Sequence, residues 1–130
     1  MASFVNPARV PPLADANEFW ARLPRGAATY IGPALNLRGP ARAIAAKLDA
    51  VNFVVVASGS FSQRNQGMTA VQGLTLWADV HAAARGQITA GLTIGAAFGC
   101  PFEGEISVSR LLQVVFHAMQ KVPADPCRYR

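Results

Sequence analysis

The sequence has 130 residues, of which 52% are hydrophobic and 15% are charged, and its formal net charge is +5. This core-rich composition argues against a disordered chain, and no apolar run approaches the roughly 20 residues that span a bilayer. We therefore expect a soluble protein without a membrane partner, cytoplasmic by default.

The positive charge and the cysteines are weak functional signals. Cys100 and Cys127 form no C-x-x-C motif, so neither a zinc site nor a disulfide framework is indicated. A net positive charge leaves weak binding of an anion or nucleic acid as one alternative function, although the pattern disfavours nucleic acid. The arginines are spread along the chain and form no basic cluster interleaved with aromatic residues: Arg9, Arg22, Arg25, Arg38, Arg42, Arg64, Arg85, Arg110, Arg128 and Arg130.

The amino-terminal region predicts part of a strand and one helix. Residues 1–7 are typical of the carboxyl end of a strand, because a turn signal closes them. Asp15, with Glu18 three residues later, has the spacing of a capping box and predicts that a helix begins there. The buried side chains of that helix would be Phe19, Trp20 and Leu23.

Two further strands frame the next helix. Residues 27–35 predict a strand, and Pro40 suits the first position of a helix that continues to Leu48. A strand is predicted at residues 51–57, because residues 53–57 form a continuous apolar run rich in valine. A run without polar alternation predicts a strand covered on both faces, as in a parallel sheet.

The second half of the chain repeats the alternation. A helix is predicted at residues 69–85, a strand at 88–94 with a loop of small residues after it, and a last helix capped by Ser107. The predicted inward-facing residues are, in the first of these helices, Val71, Leu74, Ala78 and Ala82, and in the last, Val108, Leu111, Leu112, Val115 and Met119.

Alternation of strand, polar loop and helix predicts an α/β fold with a parallel sheet. About four such units correspond to half of a (β/α)₈ barrel, and a small open sheet of flavodoxin type fits equally well. We place this domain at residues 1–122 and an irregular tail at residues 123–130.

The carboxyl ends of the predicted strands are the expected place for a ligand. Ser58, Arg64 and Asn65 follow the most apolar strand, and Asn36 follows the strand before it. Arg64 could bind a phosphate or carboxylate group through two hydrogen bonds. We predict these four residues as substrate-binding residues, with hydrogen bonding inside the loops as the competing role.

Three longer segments resemble the 3-hydroxy-3-methylglutaryl-CoA lyase family, and they look closest to its bacterial members. They are S-F-V-N-P at residues 3–7 with V-P at 10–11, F-V-V-V-A-S at 53–58 with F-S-Q-R-N-Q-G at 61–67, and I-G-A-A-F-G-C-P-F-E-G-E at 94–105. The resemblance extends from Ser3 to about Val115, and the F-G-C-P-F-E-G motif is long enough to be specific.

This resemblance implies a TIM barrel, of which the chain would cover about the second to fifth βα units. It also implies a divalent metal, Mg²⁺ or Mn²⁺, and an acyl-CoA ligand. The implied reaction is cleavage of a carbon–carbon bond in a 3-hydroxyacyl-CoA to give acetyl-CoA and a keto acid. Such chemistry needs a base, an acid and a cation that holds the substrate oxygens.

The metal ligands and catalytic residues of the family find no match in this sequence. His81 and His117 form no His-x-His pair, and Gly59 stands where relatives usually have an acidic residue. We therefore expect a truncated member that is inactive alone. A non-enzymatic, self-associating fragment is the alternative, because its outer strands near Phe4 and Thr93 would expose unpaired backbone groups.

Other reactive side chains have structural interpretations. Cys100 lies between Gly99 and Pro101 and is interpreted as a packing or turn residue. His81 lies beside an apolar stripe and is interpreted as a hydrogen-bonded structural histidine, whereas His117 falls on a solvated stripe. The acidic pair of Glu103 and Glu105 precedes a helix and is expected to serve that helix's amino end.

Overall fold

The computed structural model describes residues 11, 15–26 and 28–122. The predicted strand at residues 1–7 and the tail at 123–130 lie outside these residues. The helices and strands are, in chain order, α1 (Ala16–Arg22), β1 (Ile31–Ala34), α2 (Arg38–Ala45), β2 (Ala50–Val56), α3 (Gly59–Gln66), α4 (Ala70–Ala84), β3 (Thr89–Gly95), β4 (Gly99–Cys100), β5 (Gly104–Glu105) and α5 (Val108–Lys121). None of these helices is both long and apolar enough to cross a membrane.

A parallel sheet of order β1-β2-β3 confirms the predicted α/β class. β1 and β2 pair in parallel, with Ile31 opposite Ala50 and Ala34 opposite Phe53. Phe53 and most of the apolar residues of β2 are buried, whereas Val54 is half-buried. This burial explains why the strand lacks polar alternation.

The chain divides into two compact units. The first consists of Met1–Val54 and Asp79–Thr93, and the second of Val55–Ala78 and Ile94–Arg130. A core cluster of the first unit contains Ala16, Trp20, Ala34, Ala43, Leu48, Val51 and Ala84. A smaller cluster of the second unit contains Ala57, Cys100 and Ile106, with Phe61 and Ile94 packed against it.

The predicted capping box of α1 is wrong. Asp15 is the N-cap residue, but its side chain accepts no hydrogen bond there, and Glu18 instead pairs with the exposed Arg22 at 3.9 Å. Trp20 is buried as predicted, whereas Phe19 is 41% exposed. The Phe19 and Trp20 ring centroids lie 5.4 Å apart in an edge-on arrangement. Such a short helix is held by its one large buried side chain and does not depend on a cap.

The polar residues that follow β2 form helix α3 where the sequence predicted a loop. The Ser58 side chain accepts a hydrogen bond from the Phe61 N–H, and Gly67 ends the helix with a φ of 70°. An N-cap serine and a left-handed glycine mark the two ends of a helix. These signals outweigh the low hydrophobicity of the segment between them.

Two long helices form where the sequence predicts them, but their buried faces differ from the predicted ones. In α4 the buried residues include Ala70, Leu74, Trp77, Val80 and Ala84, while the predicted inward residue Val71 is 71% exposed. In α5 the buried residues are Val114 and Ala118, and Val108, Leu112 and Met119 are exposed against the prediction. Each helix carries an apolar stripe wider than the surface that covers it, so periodicity identified the helix and misplaced its face.

Candidate ligand-binding site at the carboxyl end of β2

Ser58 lies just after β2, belongs to the second unit and is fully buried. The Ser58 hydroxyl donates a hydrogen bond to Cys100 Sγ at 2.9 Å and accepts one from the Phe61 N–H at 3.2 Å. One side chain thus caps α3 and ties the end of β2 to the β4–β5 hairpin. A buried serine with both functions satisfied holds the loop in a single geometry.

Cys100 lies in a surrounding that favours its thiolate. Burial raises the pKa of the thiol. Hydrogen bonds from the Ser58 hydroxyl and from the N–H groups of Phe102 and Glu103 together lower the pKa by more than burial raises it, so it lies below its usual value. The Phe102 N–H is 3.3 Å from the sulfur. These contacts are those of a residue that shapes the 101–103 turn, which agrees with the packing role expected for it.

Glu103 serves the amino end of α3 and not that of α5, against the prediction. Its Oε1 accepts the Ser60 N–H at 2.5 Å. Hydrogen bonds from the Ser60 hydroxyl and N–H, and then from the Gly59 N–H, lower the pKa of this carboxyl group against the opposing effect of burial. The carboxylate therefore occupies the anion position that the amino end of α3 would otherwise offer.

The missing side chain at Gly59 lies beside this carboxylate. A Cβ at position 59 would be 3.6 Å from Glu103 Oε1, so the position has room for a side chain. An acidic residue at position 59 would place a second carboxylate next to Glu103. Repulsion between two neighbouring carboxylates would raise the pKa of one of the two carboxyl groups.

Arg64 is exposed on α3 and held by an aromatic ring. Its guanidinium carbon lies 4.3 Å from the centroid of Phe102, whose ring is 6.0 Å from that of Phe61. Within the described part of the chain, no carboxylate pairs with Arg64. A cation–π contact orients the guanidinium and leaves N–H donors for an anionic group.

Arg110 belongs to the same neighbourhood, although it was not among the predicted site residues. Its Nε–H points to the Ala57 carbonyl oxygen at 3.5 Å, where β2 ends. The only local signal is the Ser107 hydroxyl, which accepts the Arg110 N–H and begins α5 at this point. Arg110 and Ala57 are 53 residues apart in the sequence, so no local pattern indicates their contact.

The four predicted substrate-binding residues have different surroundings. Ser58, Arg64 and Asn65 lie in the second unit, Ser58 buried at the start of α3 and the other two exposed near its end. Asn36 lies in the first unit after β1, where its Oδ1 accepts the Arg38 N–H at 3.0 Å and helps to start α2. Their ligand contacts stay predictions.

The residues that the structure describes contain no group of three histidine, cysteine or acidic side chains that could hold a metal ion. Glu103, the one acidic residue of the site, is engaged by the amino end of α3. The donor set therefore does not fit a divalent metal, and we assign no step of a reaction to one.

Comparison with known proteins identifies relatives along most of the chain. No family model matches it. An (R)-citramalyl-CoA lyase from Chloroflexus aurantiacus and a 3-hydroxy-3-isohexenylglutaryl-CoA/hydroxymethylglutaryl-CoA lyase from Pseudomonas aeruginosa are each 31% identical to it, over 92% of this chain and 41% of the relative. An HMG-CoA lyase structure from Acinetobacter baumannii, in complex with coenzyme A and 3-methylmalate, matches 92% of this chain with a TM-score of 0.86 and 31% identity, over 40% of its own length.

The chain therefore spans about 40% of the length of the relatives it matches. Its three parallel strands and their helices match part of these barrel structures. This match favours a partial TIM barrel over the open sheet that the periodicity had left possible.

Proposed function

We propose that this chain, whose homologues by sequence and structure are members of the 3-hydroxy-3-methylglutaryl-CoA lyase family, supplies part of the acyl-CoA-binding rim of a lyase barrel. Two relatives are lyases of acyl-CoA substrates, and one matching structure holds coenzyme A. The supporting feature of the chain is the group around Ser58, which stands at the carboxyl end of a buried parallel strand. Ligands of parallel α/β proteins bind at that end.

Arg64 is the residue that we assign to the anionic part of the ligand. Its guanidinium is exposed and oriented by Phe102, and CoA presents phosphate groups that suit an arginine fork. Asn65 follows it on the same exposed end of α3 and can offer both an N–H donor and a carbonyl acceptor. In this proposal, Ser58, Cys100 and Glu103 hold the rim in place.

The proposal predicts binding of CoA that depends on Arg64. A charge-assisted hydrogen bond is worth about 1.5–3 kcal/mol, so Arg64→Gln should weaken binding by about tenfold or more. Isothermal titration of acetyl-CoA into the purified chain measures the dissociation constant. Lys121→Gln removes one exposed positive charge from the last turn of α5 and should leave the constant nearly unchanged.

Equal weakening in both variants would show a diffuse electrostatic attraction and contradict a rim built around Arg64. A titration without any saturable heat would contradict the rim as a whole. Dethiolated CoA in place of acetyl-CoA should bind with a similar constant, since the proposed contact is to phosphate groups.

A second candidate function is self-association, which the surface of α5 favours. Val108, Leu112, Phe116 and Met119 recur on one face of the helix and are 59–68% exposed. A contiguous exposed apolar stripe of this kind is uncommon on a monomeric protein. A second copy could cover it by packing its own α5 stripe across the first.

Sedimentation velocity over a range of protein concentrations tests this candidate. We expect the wild-type chain to dimerise, and Leu112→Glu combined with Phe116→Glu to produce a monomer. Gln113→Glu adds a charge on the polar face of the same helix and should leave the dimer intact. A wild-type chain that remains a monomer at every concentration excludes this function.

A further inference from the structure

We propose that a cleft of about 510 Å³ in the first unit, lined by Arg25, Arg42 and Lys47, binds a small phosphate-bearing molecule. The cleft lies where α1 and α2 end, before β2 begins, and is independent of the acyl-CoA rim proposed above. The three cationic residues are scattered in the sequence and give no local signal. Only the tertiary structure brings the three residues to one cleft.

Arg25 is fixed in the cleft by the carboxyl ends of two helices. Its guanidinium donates hydrogen bonds to the carbonyl oxygens of Trp20 at 2.7 Å, Ala46 at 2.9 Å and Lys47 at 2.8 Å. It also lies 5.5 Å from the ring centroid of Tyr30. These bonds satisfy one carbonyl group at the end of α1 and two at the end of α2, and the guanidinium charge opposes the partial negative charge of the helix ends.

Lys47 has a backbone conformation that a lysine rarely adopts. Its φ is 55°, at the position after the C-cap of α2 where glycine is usual. The Lys47 N–H bonds to the Ile44 carbonyl and the Leu48 N–H to that of Ala43, which completes the standard hydrogen bonds of such a helix end. Glycine would satisfy the same bonds without strain, so this helix end does not itself require the lysine side chain.

The lining of the cleft suits an anion. Among the described residues, no carboxylate lines it, and Arg42 donates a hydrogen bond from its Nη2 to Asn17 Oδ1 at 3.4 Å. Asp49 lines a neighbouring cleft that shares Arg25 and Lys47, but its Oδ2 already accepts the Tyr30 N–H at 2.7 Å. The remaining lining residues are small and apolar: Ala21, Ala45 and Ala46.

Size and donor chemistry together define the ligand class. The volume falls in the range of small-molecule sites. Arginine forks match phosphate oxygens in two-point hydrogen bonds, and a lysine adds a compact positive charge. Arg42 and Lys47 would contact a phosphate group over the alanine floor, and Arg25, which is held by carbonyl groups, would add its positive charge. An extended polymer would need a longer basic surface.

Pyrophosphate and inorganic phosphate are the probes that test this site in the full chain. We expect saturable changes in the ¹H–¹⁵N spectrum of the first unit, compared with sodium chloride at equal ionic strength. Lys47→Gln and Arg42→Gln should each weaken pyrophosphate binding by about tenfold. Arg85→Gln removes an exposed charge that does not line the cleft and should leave binding unchanged.

Lys47→Gly separates a binding role from a structural one. It should weaken pyrophosphate binding as Lys47→Gln does, while raising the midpoint of thermal unfolding because glycine adopts a positive φ freely. The proposal is overturned if the probes produce no saturable change, if Arg85→Gln weakens binding as much as the cleft variants do, or if both Lys47 variants bind like the wild type. Because none of these residues belongs to α3, failure here leaves the acyl-CoA rim untouched.

Discussion

At the residue scale, the group around Ser58 is a set of short hydrogen bonds that hold the β4–β5 hairpin against α3. The Ser58 hydroxyl bonds to Cys100, Glu103 accepts the Ser60 N–H, and Arg64 lies over Phe102. Two ionisable groups that resemble reactive residues in the sequence are thus engaged within the chain. Their pKa values are lowered by these bonds and provide a means of testing the geometry.

Glu103 should make the stability of the chain depend on acid pH. Its folded pKa is lowered, so its contribution is complete above the ordinary pKa of a glutamate and is lost as the pH falls through the lower, folded value. Glu103→Gln should therefore lower the free energy of unfolding at neutral pH and flatten its decline in acid. Urea unfolding at several pH values measures both effects.

Glu105→Gln is the matched control, because it removes a carboxylate from the same hairpin and leaves the α3 contact intact. If its pH profile changed as much as that of Glu103→Gln, net charge alone would explain the result.

The Cys100 thiol should titrate at a lower pH than a free cysteine, and Ser58 should be one cause. Ser58→Ala removes a hydrogen bond that favours the thiolate and leaves the burial that opposes it, so the pKa of Cys100 should rise. Thiolate absorbance in a Cys127→Ser background follows this single group.

Ser107→Ala offers a comparison, since it also removes an N-cap hydroxyl, worth about 1 kcal/mol of stability, but from α5. An equal change of the Cys100 pKa in both variants would show that loosening of the fold, and not the lost hydrogen bond, had moved it.

At the element scale, contact between a helix and a strand depends on a single glycine of α2. Gly39 is buried, and a Cβ at that position would overlap the Ala34 side chain and lie 3.2 Å from its Cα. α2 can approach β1 this closely only without a side chain at the contact.

Gly39→Ala should therefore destabilise the chain by about 1–3 kcal/mol, although alanine favours a helix by about 1 kcal/mol. Chemical denaturation measures the change. In α4, Gly73→Ala meets only Val55 side-chain atoms at 3.5 and 3.7 Å and Met68 at 3.8 Å, so it should be neutral or stabilising. Equal losses in the two variants would contradict the steric explanation for Gly39.

At the scale of the whole molecule, the chain spans about 40% of the length of the relatives it matches. Its homologues are acyl-CoA lyases more than twice as long, and the described residues hold no cluster of metal ligands. A lyase of this kind needs a cation and a pair of proton-transfer groups on a closed rim. We therefore expect this chain to bind an acyl-CoA ligand without catalysing the lyase reaction.

We expect the purified chain to release no acetyl-CoA from 3-hydroxy-3-methylglutaryl-CoA in the presence of Mn²⁺, and to retain no stoichiometric Mn²⁺ after dialysis. A coupled assay for acetyl-CoA and elemental analysis measure the two quantities, with the Pseudomonas aeruginosa lyase as the positive control. Turnover that a chelator abolishes would contradict this expectation and would require a metal site among residues we have assigned other roles.

The sequence by itself determined the fold class, the position of the buried parallel strand and the region of the site. These features are local: β-branched runs, N-cap residues and turn glycines act within a few residues of the chain, as at Ser58, Ser107 and Gly67. The F-G-C-P-F-E-G motif also indicated the lyases that the chain resembles, since it is long enough to be recognised without a structure.

Only the tertiary structure decided which face of α5 is covered, that Glu103 caps α3, and that Arg25, Arg42 and Lys47 share a cleft. Each of these depends on a partner many residues away. The periodicity of a helix gives the width of its apolar stripe but not the surface against which it packs. The sequence around a charged side chain does not indicate to which helix end it will form hydrogen bonds.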